Sequence, residues 1–205
     1  MYPNDNQQTN PYDYLNQIAP KTPKKFDVFR QKPVMIGAII LAVFTGVMIF
    51  AAIVGSLSGG TTSIKTLSAR LASTESTVGS ATPNIKNTKL RALNGELKIQ
   101  LTNIIRDLNP VLVTYKITSK SIDKNIISAE SNTKILATLE DARLNVQYDR
   151  VYAIEMNTQL EKTILLMRQI NNSTSNNKTK IFTDVSIENL EKIQVQFEDF
   201  NAANG

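Results

Sequence analysis

The side chains of this chain that could do chemistry are carboxylates, tyrosines and cations, because it has no His and no Cys. That removes Ser-His-Asp and Cys-His nucleophilic machinery, thiol redox chemistry, disulfides and nearly every zinc site. The acids that fall on helical stretches are Glu96, Glu130, Glu140, Glu155, Glu161, Glu188 and Glu191. Paired glutamates can hold two metal ions inside a helical bundle, but such sites add a Glu-x-x-His motif from two of the helices. None of these acids begins that motif, and most fall off the apolar stripes. No Gly-rich loop of phosphate-binding form occurs. The expectation is therefore a non-enzyme with no catalytic residue, no metal ligand and no cofactor. Tyr148, Arg150 and Tyr152 form the one dense aromatic-basic cluster and read as tyrosines packing at a bundle end, with their hydroxyls reaching water. Asn171, Asn172 and Asn177 match the N-x-[ST] pattern and read as loop composition.

The elements that would carry these residues are helices. Leu90, Leu93, Leu97, Leu101, Ile104 and Leu108 recur at steps of three and four, so an amphipathic helix is expected over about Ile85–Asn109, ended or followed by a short turn at Pro110. A second helix, about Ser121–Leu144, places Ile122, Ile126, Ala129, Leu136 and Leu139 on one face. A third, about Gln147–Ile170, carries Tyr152, Met156, Leu160, Ile164, Met167 and Ile170. After a loop over Asn171–Lys178, a fourth runs about Lys180–Phe200, with Phe182, Leu190, Ile193, Phe197 and Phe200. No Gly or Pro separates the second helix from the third, so the turn near Asn145 is placed only by guess. Ahead of these, Ile64, Leu67, Leu71 and Val78 form a narrow stripe over about Thr62–Thr77, which reads as a stalk helix or weak coiled-coil seam. No segment alternates as a strand does.

Upstream lies Val34–Leu57, 24 residues without charge, Pro, Asn or Gln. As a helix it reaches roughly 36 Å, enough to cross a hydrocarbon core of about 30 Å with some tilt. Lys24, Lys25, Arg30 and Lys32 precede it, and the excess of cations marks the cytoplasmic side. An uncleaved signal-anchor fits better than a cleaved signal peptide, whose apolar core is shorter. Ala38, Ala42 and Gly46 repeat every four residues, a spacing that lets spans self-associate. The polar head contains Tyr12, Tyr14 and Leu15, which read either as ordinary tail or as a short docking motif for a cytosolic partner. The formal net charge of +5 is dispersed, and the clustered cations that nucleic-acid binding needs are missing.

The stretch DARLNVQYDRVYAIEMNTQLEKTILLMRQI, with ENLEKIQVQFEDF after it, is similar to the last two helices of a ferritin-like family of uncharacterised bacterial envelope proteins. That family shows F-D-x-x-Y, a Met and a His on its third helix and another His on its fourth. Tyr148-Asp149-Arg150-Val151-Tyr152 and Met156 match the opening, while Leu160 and a position near Gln196 stand where the histidines would be. The N-P-Y-D-Y head, Asn10–Tyr14, and the basic collar resemble single-pass proteins of host-dependent candidate-phylum bacteria. The resemblance implies a four-helix bundle in the envelope and no particular activity.

The expected architecture is all-α. A cytosolic head with basic collar occupies 1–33, a transmembrane helix 34–57, a stalk and linker 58–83, and an up-down four-helix bundle 84–205, the last two on the extracytoplasmic side of the cell membrane. The expected role is a non-enzymatic envelope or interaction module, the alternative being a sensor or ligand-binding bundle that signals through a partner. Expected partners are the lipid bilayer, other envelope proteins and a second copy of the span, with no nucleic acid.

Overall fold

The computed structural model describes residues 60–204, and among these it contains helices and no strand. The elements are α1 (Gly60–Ala81), α2 (Thr88–Thr114), a single 3-10 turn (Ser119–Ser121), α3 (Lys124–Ala129), α4 (Thr133–Leu144), α5 (Tyr148–Ser173) and α6 (Asn177–Asn204). None of these helices is long and apolar enough to cross a membrane. The expected span Val34–Leu57, the collar of Lys24, Lys25, Arg30 and Lys32, and the Tyr12, Tyr14, Leu15 motif lie outside the described residues.

Four helices, α1, α2, α5 and α6, enclose the core. Side-chain bonds fix their directions. Thr102 donates to Glu75 and Asn94 to the Val78 carbonyl, Arg70 to the Lys162 carbonyl and the Asn87 amide, just past α1, to Asp149, and Arg168 to Glu191 and Asn201 to the Ala153 carbonyl, so α2 and α5 each run antiparallel to α1, and α6 antiparallel to α5. Gln196 reaches Glu96 at 3.5 Å and closes the ring between α6 and α2. The order around the bundle is α1, α2, α6, α5, with α1 parallel to its diagonal partner α6.

Several expectations need correction, among them the loop Asn171–Lys178, since α5 runs to Ser173 and α6 begins at Asn177. The stalk is a bundle helix: Ile64, Leu67, Leu71 and Val78 are all within 1 % of complete burial. The buried face of α1 is broader than that stripe, since Thr66, Arg70, Thr74 and Thr77 are buried beside it where the helix meets α2, α5 and the crossover. The expected second helix is not a bundle member. Since α1 already fills that corner, residues 117–147 become a crossover of the 3-10 turn, α3 and α4, laid over α1 and α5. Accordingly no residue of α3 is buried, and α4 buries only Leu139 and Ala142. Leu136, expected in the core, is 46 % exposed. The topology is thus up-down-down-up with one long crossover, not four helices in simple up-down succession.

Pro110 does not end α2. The helix continues to Thr114 because Leu108 and Val111 on either side are buried, while Pro110 itself is exposed and the Thr114 hydroxyl donates to its carbonyl at 3.0 Å. The remaining stripes match: Leu90, Leu93, Leu97, Leu101, Ile104 and Leu108 of α2 are buried, as are Tyr152, Met156, Leu160, Ile164, Met167 and Ile170 of α5. On α6 Phe182, Leu190, Ile193 and Phe197 are buried and Phe200 packs partly.

Candidate functional site

Charged side chains gather in two recesses of the bundle. The first is the seam where the crossover meets α1. Arg70 is almost wholly buried and donates through Nε and Nη2 to Glu130 at 2.7 and 3.0 Å. Beside it the Asn132 amide donates to Ser73 Oγ at 3.0 Å, and Asn132 Nδ2 to Thr77 Oγ1 at 2.9 Å. Glu155, Gln159 and Lys162 of α5 complete a shallow recess of about 220 Å³. Burial pushes the Glu155 carboxyl above its ordinary range, against the pull of Lys162.

The second is the end of the bundle formed by the α1–α2 turn, the α4–α5 turn and the last turn of α6. A cleft of about 560 Å³ opens there, lined by Ile85, Lys86, Arg91, Arg143, Val146, Tyr148, Asp149, Arg150 and Phe200, among others. Local chain geometry builds its walls. Asp149 accepts from the Lys86 amide at 3.0 Å and the Asn87 amide at 2.6 Å, which pins the α1–α2 turn to the start of α5. Asn87 then caps α2 by accepting from the Lys89 and Leu90 amides. The α4–α5 turn is a Schellman ending: the Gln147 amide bonds the Ala142 carbonyl at 2.8 Å and the Val146 amide the Arg143 carbonyl at 3.4 Å, with Val146 at φ 60°. Arg91 clamps the Ile85 carbonyl through Nε at 3.2 Å and Nη2 at 2.6 Å. Arg143 forks Glu140 at 2.8 and 2.6 Å.

The aromatic-basic cluster splits between core and surface. The rings of Tyr148 and Tyr152 stack, with centroids 6.1 Å apart, and Tyr152 meets Phe197 edge-on. The Tyr152 hydroxyl does not reach water. It donates to Asn94 Oδ1, whose Nδ2 in turn donates to the Val78 carbonyl and Thr82. Burial drives the Tyr152 phenol far above its ordinary range. Tyr148 is raised more modestly by burial, partly offset by its bond to Asn84. Arg150 stands exposed on the cleft.

The helical carboxylates scatter. Glu140, Glu188 and Glu191 sit in exposed pairs with Arg143, Lys192 and Arg168, while Glu130 faces Arg70. Among the described residues no three acids gather as a metal would need. The two positions that the resemblance equates with histidines lie on different surfaces: Leu160 is in the core and Gln196 is exposed beside Glu96. What sequence reasoning missed is the cleft's charge. Lys86, Arg91, Arg143 and Arg150 are scattered over 65 positions of chain and gather only when the two turns meet.

No protein-family model matches the chain, and no curated protein or solved structure matches it either.

Proposed function

We propose that this chain is a membrane-anchored helical bundle that works outside the cytoplasm as a non-enzymatic interaction module of the envelope. The observation that carries it is the closed interior. Leu, Ile, Met, Tyr and Phe fill the core, and among the described residues only Thr74 Oγ1 and Asn157 Oδ1 are buried side-chain polar atoms without a partner. A bundle satisfied inside offers its work through its surface. Anchoring rests on the uncharged stretch Val34–Leu57, three residues ahead of Gly60, and its orientation on Lys24, Lys25, Arg30 and Lys32. The ferritin-like reading draws support from the single long crossover, a connection which that class of bundle uses.

The test is protease added to intact cells, with any outer layer permeabilised. Digestion of residues after Gly60 with survival of a tag at Met1 is expected, and the reverse pattern would refute the orientation. Crosslinking in native membranes should then join residues 60–204 to an envelope protein, and recovery of uncrosslinked chain alone would count against the module. The second reading, a ligand-binding sensor acting through a partner, is favoured by one observation: a cleft of about 560 Å³ at the bundle end remote from Gly60.

A further inference from the structure

We propose that the cleft between the α1–α2 turn, the α4–α5 turn and the end of α6 binds a small organic anion, one oxyanion group carried on an apolar or aromatic body. This specifies the interaction half of the reading above, and it holds whether or not residues 34–57 span a membrane. The volume, about 560 Å³, is that of ordinary small-molecule pockets.

Charge decides the ligand's sign. Lys86, Arg91, Arg143 and Arg150 line the cleft against a single acid, Asp149. Asp149 is occupied, since its carboxylate accepts from the Lys86 and Asn87 amides and so offers little to a cation. Glu140, just outside, is taken by Arg143. Arg91 is buttressed in place by the Ile85 carbonyl, which uses Nε and Nη2 and leaves Nη1 outside that contact. The Lys86 ammonium and the Arg150 guanidinium make no hydrogen bond or ion pair to any described side chain, so both are available for a ligand oxyanion. Guanidinium favours planar or tetrahedral oxyanions, carboxylate or phosphate alike, because its fork matches two oxygens at once.

The rest of the lining decides the ligand's body. The half-buried Phe200 and the edge of Tyr148 supply aromatic surface beside the cations, and Val146, which is 77 % exposed, stands on the rim with nothing packed over it. An inorganic ion would use the charge and leave that surface wet. A neutral aromatic would cover the surface and leave the cations unanswered. An aryl or branched aliphatic anion uses both.

The experiment uses the full chain in neutral detergent and titrates phenylacetate, phenyl phosphate, inorganic phosphate and benzyl alcohol, followed by backbone amide NMR shifts and calorimetry. The two aryl anions separate a carboxylate source from a phosphate source. Saturable binding of at least one of them, with shifts concentrated in residues 83–91, 143–150 and 200–204, is expected. Inorganic phosphate and benzyl alcohol should each bind at least tenfold more weakly. The double variant Lys86→Gln, Arg150→Gln should weaken the aryl anion at least tenfold while its melt stays unchanged, since neither side chain holds the fold. The variant Arg106→Gln, remote from the cleft, should bind as the parent does. Absence of saturation by either aryl anion at about 10 mM, the scale of very weak affinity, overturns the proposal. So does undiminished binding in the double variant, or benzyl alcohol or inorganic phosphate binding as tightly as the aryl anions. The protease pattern on cells leaves these outcomes untouched, so the two readings fail separately.

Discussion

Arg70 of α1 and Glu130 at the end of α3 form a two-armed ion pair at 2.7 and 3.0 Å that joins positions 60 residues apart. The pair clips the crossover onto the bundle at a point where α3 itself buries nothing. Arg70 is nearly out of solvent, and its Nη1 also donates to the Lys162 carbonyl at 2.9 Å. Removing Glu130 therefore takes a two-armed carboxylate partner from a nearly buried cation. Glu130→Ala should cost about 3 kcal/mol in a denaturant melt. The paired change Arg70→Met, Glu130→Met should cost less than either single change, because it removes both desolvated charges together. A loss under about 0.5 kcal/mol in Glu130→Ala would show that the pair holds nothing.

Glu155 lies in the same seam and carries the opposite balance. Burial raises its folded pKa above 4.5, and Lys162 only partly restores it. A raised carboxyl favours the protonated form in the folded state. Its penalty is absent below about 4.5, grows as pH rises, and is complete above the raised value. Glu155→Gln should raise the melting temperature at pH 7 by the equivalent of less than about 1 kcal/mol, because part of the side chain stays in water. The advantage should vanish at pH 4. An advantage that is equal at both pH values would locate the effect in packing rather than charge.

Val146 occupies a left-handed backbone conformation, φ 60°, in the Schellman ending of α4, a position that glycine fills most often. A β-branched residue there is strained by about 1–2 kcal/mol. Its side chain is 77 % exposed, so deleting it forfeits little packing. Val146→Gly should gain about 1 kcal/mol in a denaturant melt, the relief of strain exceeding the added freedom of the unfolded chain. A destabilised variant would mean that the turn relies on the Val side chain.

Where the sequence was legible, the periodicity carried the signal. Every Leu and Ile of the α2 stripe from Leu90 to Leu108 is buried, because a single amphipathic face has one place to go. The α4–α5 turn falls where expected, with α4 ending at Leu144 and Asn145 as its cap, although Val146 stands where a glycine would have marked it. The crossover misled. Ile122, Ile126 and Leu136 would share a face only in one unbroken helix, whereas the chain breaks between α3 and α4 and α1 already holds that corner of the bundle. Periodicity reports an apolar face and not its rank among competitors. The cleft was illegible, since Lys86 and Arg150 meet only through the Asp149 contact with the α1–α2 turn.

The same competition decides where the folded unit begins. A unit starting near residue 84 would contain α2, α5 and α6 with the crossover outside them, and would lack α1. That helix supplies Ile64, Leu67, Leu71 and Val78 to the core, all within 1 % of full burial. Four such side chains at about 1.5–3 kcal/mol each amount to roughly 6–12 kcal/mol. A whole domain is stable by only about 5–15 kcal/mol. Deleting α1 also strips Glu130 of Arg70, and Asn132 of Ser73 and Thr77, so the crossover loses its clip. Nothing in residues 122–144 can slide into the gap, because Ile122 and Leu136 are separated by the break between α3 and α4 and cannot form one continuous face. A fragment of residues 60–205 should melt in one cooperative transition. A fragment of residues 82–205 should keep far-ultraviolet helix signal yet bind a hydrophobic dye and melt without cooperativity. A cooperative melt of the shorter fragment within a few degrees of the longer would return α1 to the role of a stalk.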